Sequence, residues 1–146
     1  MSEKIFVDTW GWLTLHDRKE YKHPEVVEIY RGMLASKSKI HTSTFVLDET
    51  FTLFFKRLNV EQAKQSMIQL SSAFESNFFE LVEIDRLRFK QTESLRIKYL
   101  DKPRIPFTDL SSMVVMQEYK IKKIITEDDH FNQVGLGFEC IPLGRQ

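Results

Sequence analysis

One cysteine, five glycines and four prolines among 146 residues leave this chain little covalent or conformational scaffolding. The lone thiol, Cys140, excludes an intramolecular disulfide and a cysteine-based zinc site. No histidine stands near it in sequence, so FECIPL reads as a core segment and not as the setting of a nucleophile. No apolar run exceeds a handful of residues, far short of the roughly 20 needed to span a bilayer. Met1-Ser-Glu-Lys-Ile also lacks the charged-then-apolar order of a signal peptide, so a cytoplasmic protein is expected. An excess of positive charge is missing too. With 21 basic and 21 acidic residues the net charge is zero, and the overall field does not draw nucleic acid. Any such contact would need a local patch, for which Lys56, Arg57, Lys102 and Arg104 are the candidates.

What is present is ordinary globular composition, 42% hydrophobic and 29% charged, of a length that suits a single domain over residues 1–146. KIFV before Asp8 reads as a strand, and TWGWLTL as a helix packed on a sheet. A polar stretch from His16 to His23 precedes Pro24, which suits the first turn of a second helix. A strand around Ile40–Thr42 ends at Ser43, a good N-cap, and FVLDETFTLFFKRL continues with helical spacing that puts Glu49 about two turns inside. A helix over Val60–Phe78 follows, then a strand over Glu80–Ile84 and a helix from Asp85 to about Tyr99. Pro103 and Pro106 break the chain before a helix over Asp109–Glu118. KKIIT forms another strand, His130–Gln133 a helical turn, and Phe138–Ile141 the last strand. Strands alternating with helices predict an α/β fold, a three-layer α/β/α sandwich around a mainly parallel sheet.

In open parallel sheets the reactive cleft lies beyond the carboxyl ends of the strands, where strand order reverses. Asp8 directly follows the first strand, and Asp128 follows KKIIT with only Thr126 and Glu127 between. Asp109 opens the helix before that strand, and Glu49 projects from the helix after the second. Asp8 and Asp128 are therefore expected to form the central facing pair, completed by Asp109 and Glu49. Carboxylates gathered this closely repel unless a cation sits among them, and oxygen ligands favour Mg²⁺ or Mn²⁺ over zinc. Such an ion supports phosphodiester hydrolysis, yet acidic strand ends also serve as phosphoacceptor sites and as metal sites of phosphatases. A lone aspartate at any of these places is as well explained as a helix cap.

IFVDTWGWLTL, TSTFVLDETFTLFFKR, IPFTDLSSMVVMQEY and IITEDDHFNQVGLGF, in this order, resemble the PIN-domain ribonucleases, and most of all the toxins of VapBC toxin–antitoxin pairs. The resemblance spans nearly the whole chain. It implies a PIN fold, a Mg²⁺- or Mn²⁺-dependent endoribonuclease acting through an ion-activated water, an antitoxin partner and homodimers. It implies catalytic and metal-binding roles for Asp8, Glu49, Asp109 and Asp128. A PIN-like binding module without activity is the other function such a sequence could serve.

Supporting roles are more open. Thr9 suits orienting Asp8, holding a ligand water, or starting a helix as its N-cap. Ser112 suits either a hydrogen bond within the site or helix packing. Thr126 belongs to the Thr-x-Asp-x-x-Phe pattern, which falls on Thr126, Asp128 and Phe131. Asp129 stands as an auxiliary ligand or a solvated neighbour. His130 reads as a surface residue, because hard cations rarely take imidazole. Trp10, Trp12, Phe51, Phe54 and Phe55 are expected mostly in the core.

Overall fold

The computed structural model describes residues 3–142. Strand β1 (Lys4–Val7) buries Ile5, Phe6 and Val7 in succession, the mark of a strand covered on both faces. On one side it pairs with β2 (Lys39–Ser43), which pairs in turn with β3 (Glu80–Val82). On the other side it pairs with β4 (Lys123–Ile125), followed by β5 (Glu139–Ile141). The order is β3-β2-β1-β4-β5, and every pairing is parallel, so the sheet is fully and not just mainly parallel among the described residues.

Helices α1 (Thr9–His16) and α2 (His23–Ala35) connect β1 to β2, and α3 (Thr44–Arg57) and α4 (Val60–Glu75) connect β2 to β3. The chain then crosses back through α5 (Arg86–Lys98) and α6 (Phe107–Tyr119) to β4, and a short α7 (His130–Gln133) leads to β5. Right-handed crossovers in opposite directions place α1–α4 on one face of the sheet and α5–α7 on the other. This is the three-layer α/β/α sandwich, and direction reverses between β1 and β4. Among the described residues no helix is long and apolar enough to cross a membrane.

Local chemistry sets the boundaries. The Ser43 hydroxyl accepts from Val46 N at the start of α3, and the Asp85 carboxylate accepts from Arg88 N at the start of α5. Pro106 takes the N-cap position of α6, so that helix starts at Phe107, ahead of the expected Asp109. Helix α4 stops at Glu75, short of the expected Phe78, because Asn77 turns left-handed (φ 61°) and the Phe78 and Phe79 amides both donate to Ala73 O. Strand β3 covers only Glu80–Val82 of the expected 80–84, since Ile84 N donates to Thr44 Oγ1 and leaves the ladder. β5 likewise starts at Glu139 and not Phe138.

Two elements position the cleft. Helix α6 is buried at every residue from Asp109 to Met116, so it runs through the interior, and its first turn brings Asp109 near Asp8 at the carboxyl end of the central strand. Helix α1 lies almost against the strands. A Cβ on Gly11 would stand 2.8 Å from Val7 Cγ1 and 2.9 Å from Ile125 Cγ2. Trp12, fully buried, donates from Nε1 to Thr42 Oγ1 at 3.2 Å, and Thr42 Oγ1 donates to Val7 O at 2.9 Å, tying α1 to β2 and β1. Phe54 is also fully buried and Trp10 and Phe51 pack against the core, whereas Phe55 is exposed. Cys140 is buried, as expected of a core thiol.

Candidate metal centre

The register of β1 and β4 pairs Val7 with Ile125, so both strands end together and Asp8 comes beside Thr126. Asp8 N donates to Ile125 O at 3.1 Å, the last bond of that ladder. Beyond it the backbone turns into α1. The Asp8 side chain bonds neither of the N–H groups that a helix cap would satisfy. The capping explanation of this aspartate therefore fails, and its side chain is buried at 3% exposure.

Asp109, in the first turn of α6, is buried as deeply. Burial is the main influence on both acids, because it penalises the charged form. For Asp8 the next is the charge of Asp109, then the opposing hydrogen bonds from the Thr126 hydroxyl and the Thr9 N–H, then Asp128; the carboxyl rises from 3.8 to about 7. Asp109 is raised to about 8, after burial by Asp128 and Glu49. Among the described residues, no lysine or arginine is among the causes that move either group. Asp8 and Asp109 are the two buried acids, whereas Asp128, the expected partner of Asp8, is exposed.

Asp128 and Glu49 lie at the exposed rim. Threonine hydroxyls hold the set together. Thr126 Oγ1 donates to Asp8 Oδ2 at 2.8 Å and accepts from Asp128 N at 3.1 Å, linking two acids through one buried atom. Thr9 Oγ1 donates to Glu49 Oε1 at 2.6 Å, so of the roles open to it Thr9 takes a different one and orients Glu49. Ser112 turns away: its hydroxyl donates to Thr108 O at 3.2 Å, which is helix packing. Asp129 accepts from Asn132 Nδ2 at 3.1 Å and serves the start of α7. Lys102 is drawn to Asp101 at 2.9 Å and Arg57 to Glu20 at 3.9 Å, while Lys56 and Arg104 are exposed.

The sequence reading missed His130. Its Nδ1 lies 2.8 Å from Asp109 Oδ2 and 4.0 Å from Asp128 Oδ2, with the side chain 24% exposed, so it is a member of the cluster and not a surface residue. Ligand atoms of Asp109, Asp128 and His130 all lie within 4.8 Å of one another. The one available signal was its spacing from Asp128, immediately before the core residue Phe131. Burying that phenylalanine completely is worth roughly 1.5–3 kcal/mol and pins the turn that carries Asp128 and His130.

Two buried acids that burial and neighbouring acids hold toward protonation, with further acids at the rim and His130 as the one basic ring beside them among the described residues, fit a divalent cation. The donors are mostly oxygen, the set that hard ions accept.

Comparison with known proteins agrees with this architecture. The structure is similar to the VapC20 toxin of Mycobacterium tuberculosis, described as cleaving the sarcin–ricin loop, with a TM-score of 0.74 and 26% identity over 90% of this chain and 95% of that one. It is similar in fold to VapBC2 from Rickettsia felis, solved with a fragment of its promoter DNA (TM-score 0.67, 16% identity, 94% and 96% covered). FitAcB from Neisseria gonorrhoeae is a further likeness in fold (TM-score 0.63, 13% identity, 93% and 95% covered). No curated protein matches the chain at a significant level. The family model described as the PIN domain matches residues 5–136, which takes in all four carboxylates and His130, and the chain belongs to that family.

Proposed function

We propose that residues 1–146 act as a single PIN unit, a cytoplasmic Mg²⁺- or Mn²⁺-dependent endoribonuclease that is the toxin of a toxin–antitoxin pair and works as a homodimer. The observation that carries this reading is the burial of Asp8 and Asp109 at the strand ends, with ligand atoms of Asp109, Asp128 and His130 gathered within 4.8 Å of one another. Burying two acids costs desolvation, and a bound cation would offset it. The likeness to a toxin that cleaves an RNA loop supports RNA as the substrate, and the toxin–antitoxin likenesses support a protein partner.

In this reading Asp8, Asp109, Asp128 and Glu49 hold the ion. A divalent cation bound there acidifies a water and neutralises charge on the phosphodiester. Thr126 keeps the Asp8 carboxylate turned into the cleft, and Thr9 does the same for Glu49. Asp128, at the open rim, faces the side from which a strand of RNA approaches. No side chain here is set up as a nucleophile, so no covalent intermediate forms. The neutral net charge leaves phosphate contacts to local cations such as Lys56 and Arg104.

The test is incubation of the purified chain with total RNA and Mn²⁺ or Mg²⁺, with and without chelator, followed by mapping of the cut ends. Cleavage should need the ion and fall about a thousandfold in Asp8→Asn and in Asp109→Asn, the loss expected when several kcal/mol of charge stabilisation disappear. Undiminished cleavage by both variants, or in chelator, would sink the assignment. Turnover of small phosphoesters with RNA left intact would point to a phosphatase.

A further inference from the structure

We infer that His130 is a nitrogen ligand of the ion proposed above, and that it tilts the centre toward Mn²⁺ and neighbouring transition-metal ions over Mg²⁺. This rests on the metal-site reading and adds to it a choice between cations that the carboxylates alone do not make.

The geometry has two parts. His130 Nδ1 stands 2.8 Å from Asp109 Oδ2 and 4.0 Å from Asp128 Oδ2. Around an octahedral ion with bonds of about 2.1 Å, adjacent donors lie about 3 Å apart and opposite donors about 4.2 Å. The imidazole nitrogen thus keeps the spacings of a donor that shares one ion with both acids. Its position is also imposed and not sampled freely. The ring sits on the first residue of α7, next to the fully buried Phe131, and only 24% of its side chain meets solvent.

Chemistry then gives the spacing a consequence. Mg²⁺ demands oxygen donors and gives up its waters reluctantly, whereas Mn²⁺, though it too prefers oxygen, tolerates one imidazole among carboxylates, and Fe²⁺ and Co²⁺ take it more readily still. Replacing one oxygen by a borderline nitrogen costs Mg²⁺ more than it costs Mn²⁺. Ligation uses the Nδ1 lone pair, so the ring proton resides on Nε2 in the loaded state. The competing explanation is that the 2.8 Å contact is only a hydrogen bond by which the ring orients Asp109. That role would support every divalent ion alike.

His130→Asn separates the two. The amide keeps a donor for Asp109 at nearly the place of Nδ1 and offers the ion only a hard oxygen. Calorimetric titration of the full chain with Mn²⁺ and with Mg²⁺ should show Mn²⁺ affinity falling about tenfold or more in the variant, with Mg²⁺ affinity held within about threefold. Pulsed EPR of bound Mn²⁺ should show a ¹⁴N coupling in the wild type that is absent from the variant. Equal losses for both ions, a nitrogen coupling that persists in the variant, or tight Mn²⁺ binding with no coupling in the wild type would each overturn the role of His130 and leave the carboxylate site intact. Failure of the wild type to bind either ion would overturn the site itself and this inference with it.

Discussion

Helix α1 has a buried polar cluster at each end, and the two are built differently. At its start Asp8 and Asp109 are both buried, Asp8 raised by burial and then by Asp109, Asp109 by burial and then by Asp128 and Glu49, with Glu49 tied to Thr9. At its far end His16 stands against Phe54, its Nδ1 3.0 Å from Ser66 Oγ, while Gln62 Nε2 donates to His16 O at 2.9 Å. Burial, and then the nearby charge of His23, lowers His16 from 6.5 to about 4, so it is neutral in ordinary conditions. The histidine end meets its polar needs within the chain. The carboxylate end does so only in part: Thr126 donates to Asp8 and His130 stands 2.8 Å from Asp109, yet burial and neighbouring acids still raise both carboxyls. What the contrast teaches is that burial by itself does not mark a functional site; burial of charge that the chain leaves uncompensated does.

The strongest way to break this contrast is to neutralise one acid. Asp109→Asn should abolish the stabilisation that Mn²⁺ gives the wild type, a few kcal/mol at saturating ion. Above pH about 8 it should at the same time make the metal-free protein more stable by about 1–2 kcal/mol, because one charge of the repelling set is gone. Thermal melts with and without Mn²⁺ measure both. A metal-free variant less stable than the wild type there would mean that the acids hold the fold together.

Acidity sharpens the same contrast, because the two ends respond with opposite sign. Asp8 and Asp109 have folded values above 3.8, so their contribution to stability is fully present below about 3.8 and is lost as pH rises through about 7 and 8. His16 has a folded value below 6.5, so its contribution is present above about 6.5 and is lost as pH falls toward about 4. Between pH about 4 and 6.5 the two therefore oppose each other, and from there to about 8 the acids act alone, so denaturation curves of the metal-free chain should show stability falling with rising pH most cleanly above about 6.5. Saturating Mn²⁺ should remove the fall in stability toward pH about 8 and leave the His16 loss on acidification, and a fall that Mn²⁺ does not relieve would place its source elsewhere.

The smallest expected effect is at the neutral end. Ser66→Ala removes the partner of His16 Nδ1 and should cost about 1–2 kcal/mol in urea unfolding, with ion affinity unchanged. A change in Mn²⁺ affinity would show that the two ends are coupled through α1.

The carboxylates were legible in the sequence because their places follow from local pattern. Asp8 ends an apolar run, Asp109 opens a helix after prolines, and Glu49 sits at helical spacing beyond a good cap. Their ranking was not legible, because it depends on burial: Asp109 passes through the interior with α6, whereas Asp128 stays at the rim. Hydrogen-bond partners were out of reach for the same reason. Thr9 reaches Glu49 across 40 positions, and His130 meets Asp109 across 21, separations that no motif encodes. Boundary errors fell where one residue overrides a pattern, as at Asn77 and Ile84.

Gly11 gives the carboxylate cluster its tolerance for error. With less than 3 Å to Val7 and Ile125, a methyl group at that position would lift α1 from the strands whose ends carry Asp8 and Thr126. Thr9 begins the same helix, so its grip on Glu49 would move with it, while Asp8 stays fixed by its bond to Ile125 O. The missing side chain thus acts as a spacer gauge, setting how far apart an acid anchored to the sheet and an acid anchored through the helix can stand.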